Sequence, residues 1–292
     1  MAVTPPVVLT IAGFDPSSGA GITADIKTIA AHECYGVCCI TALTVQSTRG
    51  VRRVLGVDPG MVDETLRELV SDLAVEAVHI GMLGNGQVAA VVADFLVDAK
   101  LPHVVLDPIL KSSSGADLLD AEGTRLLIER LLPLAEVVTP NLDEASALTG
   151  IAVTNIDQMR EAAARLHSLG ARNVVVTGGH LNNNNKGEKA IDLLSFTTGH
   201  GTEQEVFKAE RLRSNSTHGT GCAFASALAC HLAQGRGLPE AVLLSKVYVS
   251  AAIANAHPLG HGVGPLHHLY RMSQQRRPST IVSEAEHAHS RN

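Results

Sequence analysis

The residues best suited to chemistry are Thr217, Gly219, Thr220, Gly221 and Cys222, within SNSTHGTGCAFASA (214–227). Glycines let a backbone close on an anion, and the free N–H groups of a first helical turn point toward it. The small residues that follow suit a closely packed helix, so an oxyanion or phosphate site is expected here. Cys222 falls where that helix begins, and a thiol at a helix N-terminus is expected to have a lowered pKa. The alternative for Cys222 is a small buried packing residue, the role that suits Cys230 in the helix interior.

Oxygen ligands come from two further clusters, Asp107 in VVLDPILKSSSG and Asn141 with Glu144 in VVTPNLDEA. Carboxylates at the carboxyl ends of parallel strands face the crevice in which such sheets bind ligands. Beside a phosphate they would hold a magnesium ion directly or through water. Asn141 and Glu144 also have the spacing of a capping box, and the two roles are compatible.

A second glycine-rich stretch, IAGFDPSSGAGITADIKT (11–28), contains GAGITA (19–24), a variant of the dinucleotide fingerprint. The fingerprint needs its first glycine directly after a strand and an acid at the end of the next. Here the apolar run stops at Ala12, well before Gly19, and Gln46 in TVQST stands where the acid is wanted. No Walker A pattern occurs either. What remains is a strand, a flexible loop, and a helix whose first turn is expected to carry Asp25.

These residues need a scaffold. Apolar, β-branched runs at 7–12, 37–45, 77–82, 103–108, 136–141 and 173–179 read as strands buried on both faces. Between them, apolar residues recur at helical spacing over 60–73, 86–100, 123–135 and 155–170. The alternation predicts one large α/β domain over 1–270, a mostly parallel central sheet with helices on both faces. An Asn tract in 181–194 predicts an exposed loop before a strand at 190–196, and the polar stretch 271–292 predicts a flexible tail.

Composition narrows the partners. A net charge of −6 gives no broad basic surface, and 3% aromatic residues with no Trp leave few stacking platforms, so nucleic acid is not expected. No uninterrupted apolar run is long enough to span a membrane, and no signal peptide is read at the N-terminus. The odd set Cys34, Cys38, Cys39, Cys222 and Cys230 has neither zinc nor disulfide spacing, which predicts a reducing cytoplasm.

Taken in order, IAGFDPSSGAGITADIKT, ALTVQST, IGML (80–83), LDPILKSSSG (106–115), TPNLDEA (139–145), GGH (178–180), STHGTGC (216–222) and GPLHH (264–268) resemble the hydroxymethylpyrimidine/phosphomethylpyrimidine kinases of thiamine biosynthesis, in the ribokinase-like superfamily. The resemblance implies ATP-dependent phosphorylation of 4-amino-5-hydroxymethyl-2-methylpyrimidine, and of its monophosphate. It implies that Gly13, Asp25, Gln46 and Met82 line the pyrimidine pocket, with Lys246 near the substrate. THGTGC would form the anion hole, with Cys222 at the place of a catalytic base; Asn141 and Glu144, with Asp107, would serve the Mg2+ and ATP network. It also implies a homodimer. Phe14, Ser18 and Thr23 differ from the residues usual in the family and would alter the rim of the acceptor loop, while Thr177 would alter an ATP-side contact. Two alternatives stay open: a pyridoxal or pyridoxine kinase of the same superfamily, and a noncatalytic pyrimidine-binding regulatory protein.

Overall fold

The computed structural model describes residues 4–179, 189–212 and 214–274. Its elements run β1 (Val7–Phe14), α1 (Gly21–Ala31), β2 (Tyr35–Ser47), β3 (Gly50–Gly56), α2 (Pro59–Asp72), β4 (Val75–Ile80), α3 (Gly86–Ala99) and β5 (Val104–Leu106). The order continues with α4 (Ala121–Leu126), which widens into a π-helical turn over Leu127–Leu131 and then tightens into a 3-10 turn over Leu132–Leu134, then β6 (Val137–Val138), α5 (Leu142–Thr149), α6 (Ile156–Ser168), β7 (Asn173–Gly178) and β8 (Lys189–Thr198). The last elements are β9 (Gly201–Glu210), α7 (Thr220–Ala233), α8 (Leu238–Ala254) and α9 (Tyr270–Gln274).

One sheet of nine strands has the order β3-β2-β1-β4-β5-β6-β7-β8-β9. Its centre, β2 to β7, is parallel, and β3, β8 and β9 add antiparallel edges. Side-chain alternation builds the layers. Val8, Ala77, Val105, Val137 and Val175 pack with α1, α7 and α8, while their neighbours Leu9, Val78, Leu106, Val138 and Val176 pack with α2 to α6. Each parallel strand is therefore apolar on both faces, as its sequence requires.

Strands β3 and β9 were not expected. GVRRVLG and GTEQEVFKAE carry charges rather than apolar runs, which suits edges whose outer side meets water. Residues 271–274, assigned above to the tail, belong to α9. The Asn tract and the tail beyond 274 lie outside the described residues. Among the described residues no helix is long and apolar enough to cross a membrane.

Three buried histidines lie where α1, α7 and α8 meet: the His32 ring is 4.9 Å from His231 and 4.5 Å from Tyr248, whose hydroxyl donates to the His268 carbonyl at 2.8 Å. Burial pushes the pKa of each histidine down to about 4. An unfolded chain takes up these protons near pH 6.5, so stability present above that pH is lost as pH falls toward about 4. Between about pH 7 and about pH 5, a His231→Leu variant is expected to lose less of its thermal midpoint than the unaltered chain. Equal losses would contradict this account.

Candidate functional site

The sheet runs outward in both directions from β1: α1 leads to β2 on one side, and the chain returns to β4 on the other. The crevice beyond the carboxyl ends of β1 and β4 is thus the topological switch point, the usual ligand position in such sheets. Gly13 is the penultimate residue of β1 there, and a Cβ on it would lie 2.7 Å from Met82 Sδ, so a larger residue would have to displace the Met82 side chain. Met82 in turn packs with Ala42 and Leu118 into a small apolar cluster flanked by Val51, Val54 and Ile109. The expected neighbours Gly13 and Met82 are therefore together. Gln46, near the end of β2, is half-buried; one arm of its amide lies 3.1 Å from His218 Nε2 and the other 3.2 Å from Thr44 Oγ1.

Two residues not singled out in the sequence join the glycine loops. Asp15 accepts hydrogen bonds from the N–H groups of Ser17, Gly19 and Ala20 at 2.8, 3.2 and 2.9 Å, and from Ser17 Oγ at 2.7 Å. His218 Nε2 donates to it from the second loop at 2.9 Å. Burial alone would raise the Asp15 pKa, but the bonds from His218 and Ser17 outweigh burial and leave it below the usual value. The DPSSG spacing, an aspartate followed by small turn residues, was the available signal for Asp15. Ser18 has φ 62°, a left-handed conformation that glycine adopts without strain. Thr23 Oγ1 braces the same loop by donating to the carbonyls of Asp15 and Ala20.

The second loop reaches the first through Gly219. Its φ is 84°, and a Cβ would lie 1.9 Å from the Gly19 carbonyl oxygen. Helix α7 begins at Thr220 with no side chain capping it. Thr220 N–H turns back to the Thr217 carbonyl at 3.4 Å, while the Gly221 and Cys222 amides have no backbone acceptor among the described residues. Thr217, Gly219, Thr220 and Gly221 thus form an open turn into a helix with free amides, a geometry suited to an anion.

Across from that turn stands Asp107, just past β5: a Cβ on Gly221 would be 3.5 Å from Asp107 Oδ2. Asp107 is buried and accepts from Thr139 Oγ1 at 3.5 Å; burial, helped by the charge of Asp25, raises its pKa to about 6. Beyond β6 the capping box is complete. Glu144 N donates to Asn141 Oδ1, and Asn141 N donates to Glu144 Oε2, each at 2.9 Å. Burial and the Asp107 charge push Glu144 well above the usual range. Two buried, mutually repelling carboxylates facing an uncapped helix suit a cation between them. Among the described residues no group of three or more His, Cys, Asp or Glu could hold a metal on its own, so a cation here would have to take most of its ligands from water and phosphate.

Three expectations are corrected. Cys222 is only 7% exposed, and its pKa is raised well above normal by burial and then by the charges of Asp25 and Asp107, against the N–H of Gly21. Desolvation and nearby anions outweigh the helix terminus. Asp25 is the fifth residue of α1, beyond its first turn, and is 0% exposed. Thr10 Oγ1 and Ser226 Oγ donate to it at 2.8 and 2.9 Å, and His79 Nδ1 lies 3.4 Å away, so it lies beneath the crevice instead of lining it. Lys246 on α8 is neither beside the acceptor loop nor solvated. It forms a buried ion pair with Asp192 of β8, whose other oxygen accepts from Gly178 N at 2.9 Å. Strands β4, β5, β6 and β7 separate β8 from β1.

Comparison with known proteins identifies the family and the fold. Residues 15–267 match the family model described as phosphomethylpyrimidine kinase. A hydroxymethylpyrimidine/phosphomethylpyrimidine kinase of Streptomyces coelicolor is 42% identical over 272 residues, covering 93% of this chain and 97% of the relative. The thiamine biosynthesis bifunctional protein ThiED of Geobacter sulfurreducens is 45% identical over 262 residues, 90% of this chain, which spans only 52% of that longer protein. An ADP complex of Bacillus subtilis pyridoxal kinase superposes with a TM-score of 0.82 at 34% identity, covering 92% of this chain and 100% of the other. A family match over most of the length, on a shared α/β scaffold, places this chain in the phosphomethylpyrimidine kinase family of ribokinase-like phosphotransferases.

Proposed function

We propose that the chain transfers the γ-phosphoryl group of ATP to the hydroxymethyl oxygen of 4-amino-5-hydroxymethyl-2-methylpyrimidine, and then phosphorylates the monophosphate to the diphosphate. The observation that carries this reading is the uncapped start of α7, set between the Gly13, Gln46 and Met82 side and the carboxylates Asp107 and Glu144. Phosphoryl transfer depends mainly on position and on donors around the equatorial oxygens. The Gly221 and Cys222 amides supply such donors, and Met82 with Gln46 supplies an apolar wall and a polar edge for a heteroaromatic ring.

Mg2+, held through water by Glu144, Asn141 and Asp107, would supply positive charge to the phosphates. Those residues also bear on Cys222, because the carboxylates Asp107 and Glu144 are among the charges that keep its thiol protonated. With these neutralised, Cys222 would be placed to take the acceptor's proton as a thiolate, its own proton having first passed to solvent. Cys222→Ala is then expected to lower kcat at least about tenfold with a smaller change in acceptor KM. Near-native kcat in steady-state assays would make Cys222 a packing residue.

The pyridoxal kinase reading keeps one specific support, the structural likeness to the Bacillus subtilis enzyme. Parallel assays of ATP consumption with the pyrimidine and with pyridoxal separate the two. Efficient turnover of pyridoxal with none of the pyrimidine would replace our reading.

A further inference from the structure

We infer that His218 is a positioning residue that fixes the Gln46 amide with an N–H offered to the acceptor, so that the site selects rings presenting a nitrogen lone pair. The inference rests on the acceptor side proposed above and follows from counting protons in one chain of contacts. Asp15 is ionised and can only accept, so the proton between it and His218 Nε2, at 2.9 Å, belongs to the imidazole. A nitrogen that donates has no lone pair left for Gln46, 3.1 Å away. The Gln46 amide, placed with Nε2 toward His218 and Oε1 toward Thr44, must then be turned over, so that its carbonyl oxygen faces His218 and shares the same proton.

The other end of the chain gives the same answer independently. Thr44 Oγ1 has one proton, and the Phe14 carbonyl takes it at 2.9 Å. The Gln46 arm 3.2 Å from Thr44 Oγ1 must therefore be the amide nitrogen, donating to the hydroxyl lone pair. One amide N–H is used on Thr44, and no protein group among the described residues takes the second. A ring nitrogen is a good partner for it, whereas a ring C–H would leave it unsatisfied.

His218 itself has little freedom. Its backbone N–H donates to the Gly264 carbonyl at 3.0 Å, which anchors the residue to the 264–265 segment, and a Cβ on Gly19 would lie 2.3 Å from His218 Cδ2, so the ring lies close against the first glycine loop. Its orientation is thus fixed before any ligand arrives.

Two measurements test the assignment. In the ligand-free full chain, 15N NMR of the His218 ring should show a proton on Nε2; an Nε2 without a proton overturns the inference whatever the acceptor proves to be. Kinetically, each pyrimidine nitrogen is replaced in turn by C–H. With the unaltered chain, one of these analogues should lose at least about tenfold in kcat/KM. His218→Gln, which can still donate to Asp15, should keep that penalty, whereas His218→Phe should shrink it to less than about threefold. A packing role alone predicts that Phe preserves the penalty as well as Gln does, and that result would overturn the assignment. Turnover of pyridoxal in place of the pyrimidine would overturn the acceptor reading, leaving the NMR result to decide His218.

Discussion

Gly219→Ala is expected to lower kcat by about 100-fold or more, because a displacement on the order of 1 Å at a phosphoryl-transfer site is costly. At φ 84° an alanine pays the strain of left-handed backbone, about 1–2 kcal/mol. The larger effect is steric. The new Cβ would meet the Gly19 carbonyl at 1.9 Å, and backbone can yield only by moving the two loops apart. That motion separates the Gly221 and Cys222 amides from the acceptor side and breaks the alignment of His218 with Asp15. Gly235 provides the control: its φ is 78°, with nothing within 4 Å of a Cβ, so Gly235→Ala should cost stability while kcat stays near native. Equal kcat for the two variants, measured under saturating substrates, would show that the contact between the loops does not matter.

Asp25→Ala should destabilise the chain by about 3–5 kcal/mol, the usual loss when one partner of a buried pair is removed. Asp25 organises a dry polar node between β1, β4 and α7. It accepts from Thr10 and Ser226, and its charge raises the pKa of completely buried His79 against the opposing effect of burial. Alanine would leave the Thr10 and Ser226 hydroxyls and the buried His79 imidazole without their carboxylate partner. Denaturant unfolding at neutral pH checks the prediction. A loss below about 1 kcal/mol, combined with a large rise in acceptor KM, would instead return Asp25 to direct substrate contact.

Much of the scaffold was legible because the parallel strands are apolar on both faces and their helices keep a regular spacing. The edges were harder to see. In β3, Arg52 and Arg53 interrupt any alternation, and β9 is pinned by its ladder with β8 instead of by its own composition. Glycine spacing placed a turn into a helix where α7 begins, and the Asn141 and Glu144 spacing correctly gave the capping box. Local sequence could not show Asp15 with His218, or Lys246 with Asp192, because each pair is made by chain crossings between distant segments. Cys222 was misread for a related reason: a helix start is visible in sequence, but the carboxylates packed around it come from three other elements.

The central claim is that one crevice first phosphorylates a hydroxymethylpyrimidine and then its monophosphate. Mass spectrometry of products formed from the pyrimidine, ATP and Mg2+ tests it most directly. The monophosphate should appear first and decline as the diphosphate accumulates. No phosphorylated pyrimidine, under conditions in which the same preparation converts pyridoxal to its phosphate, would contradict the account.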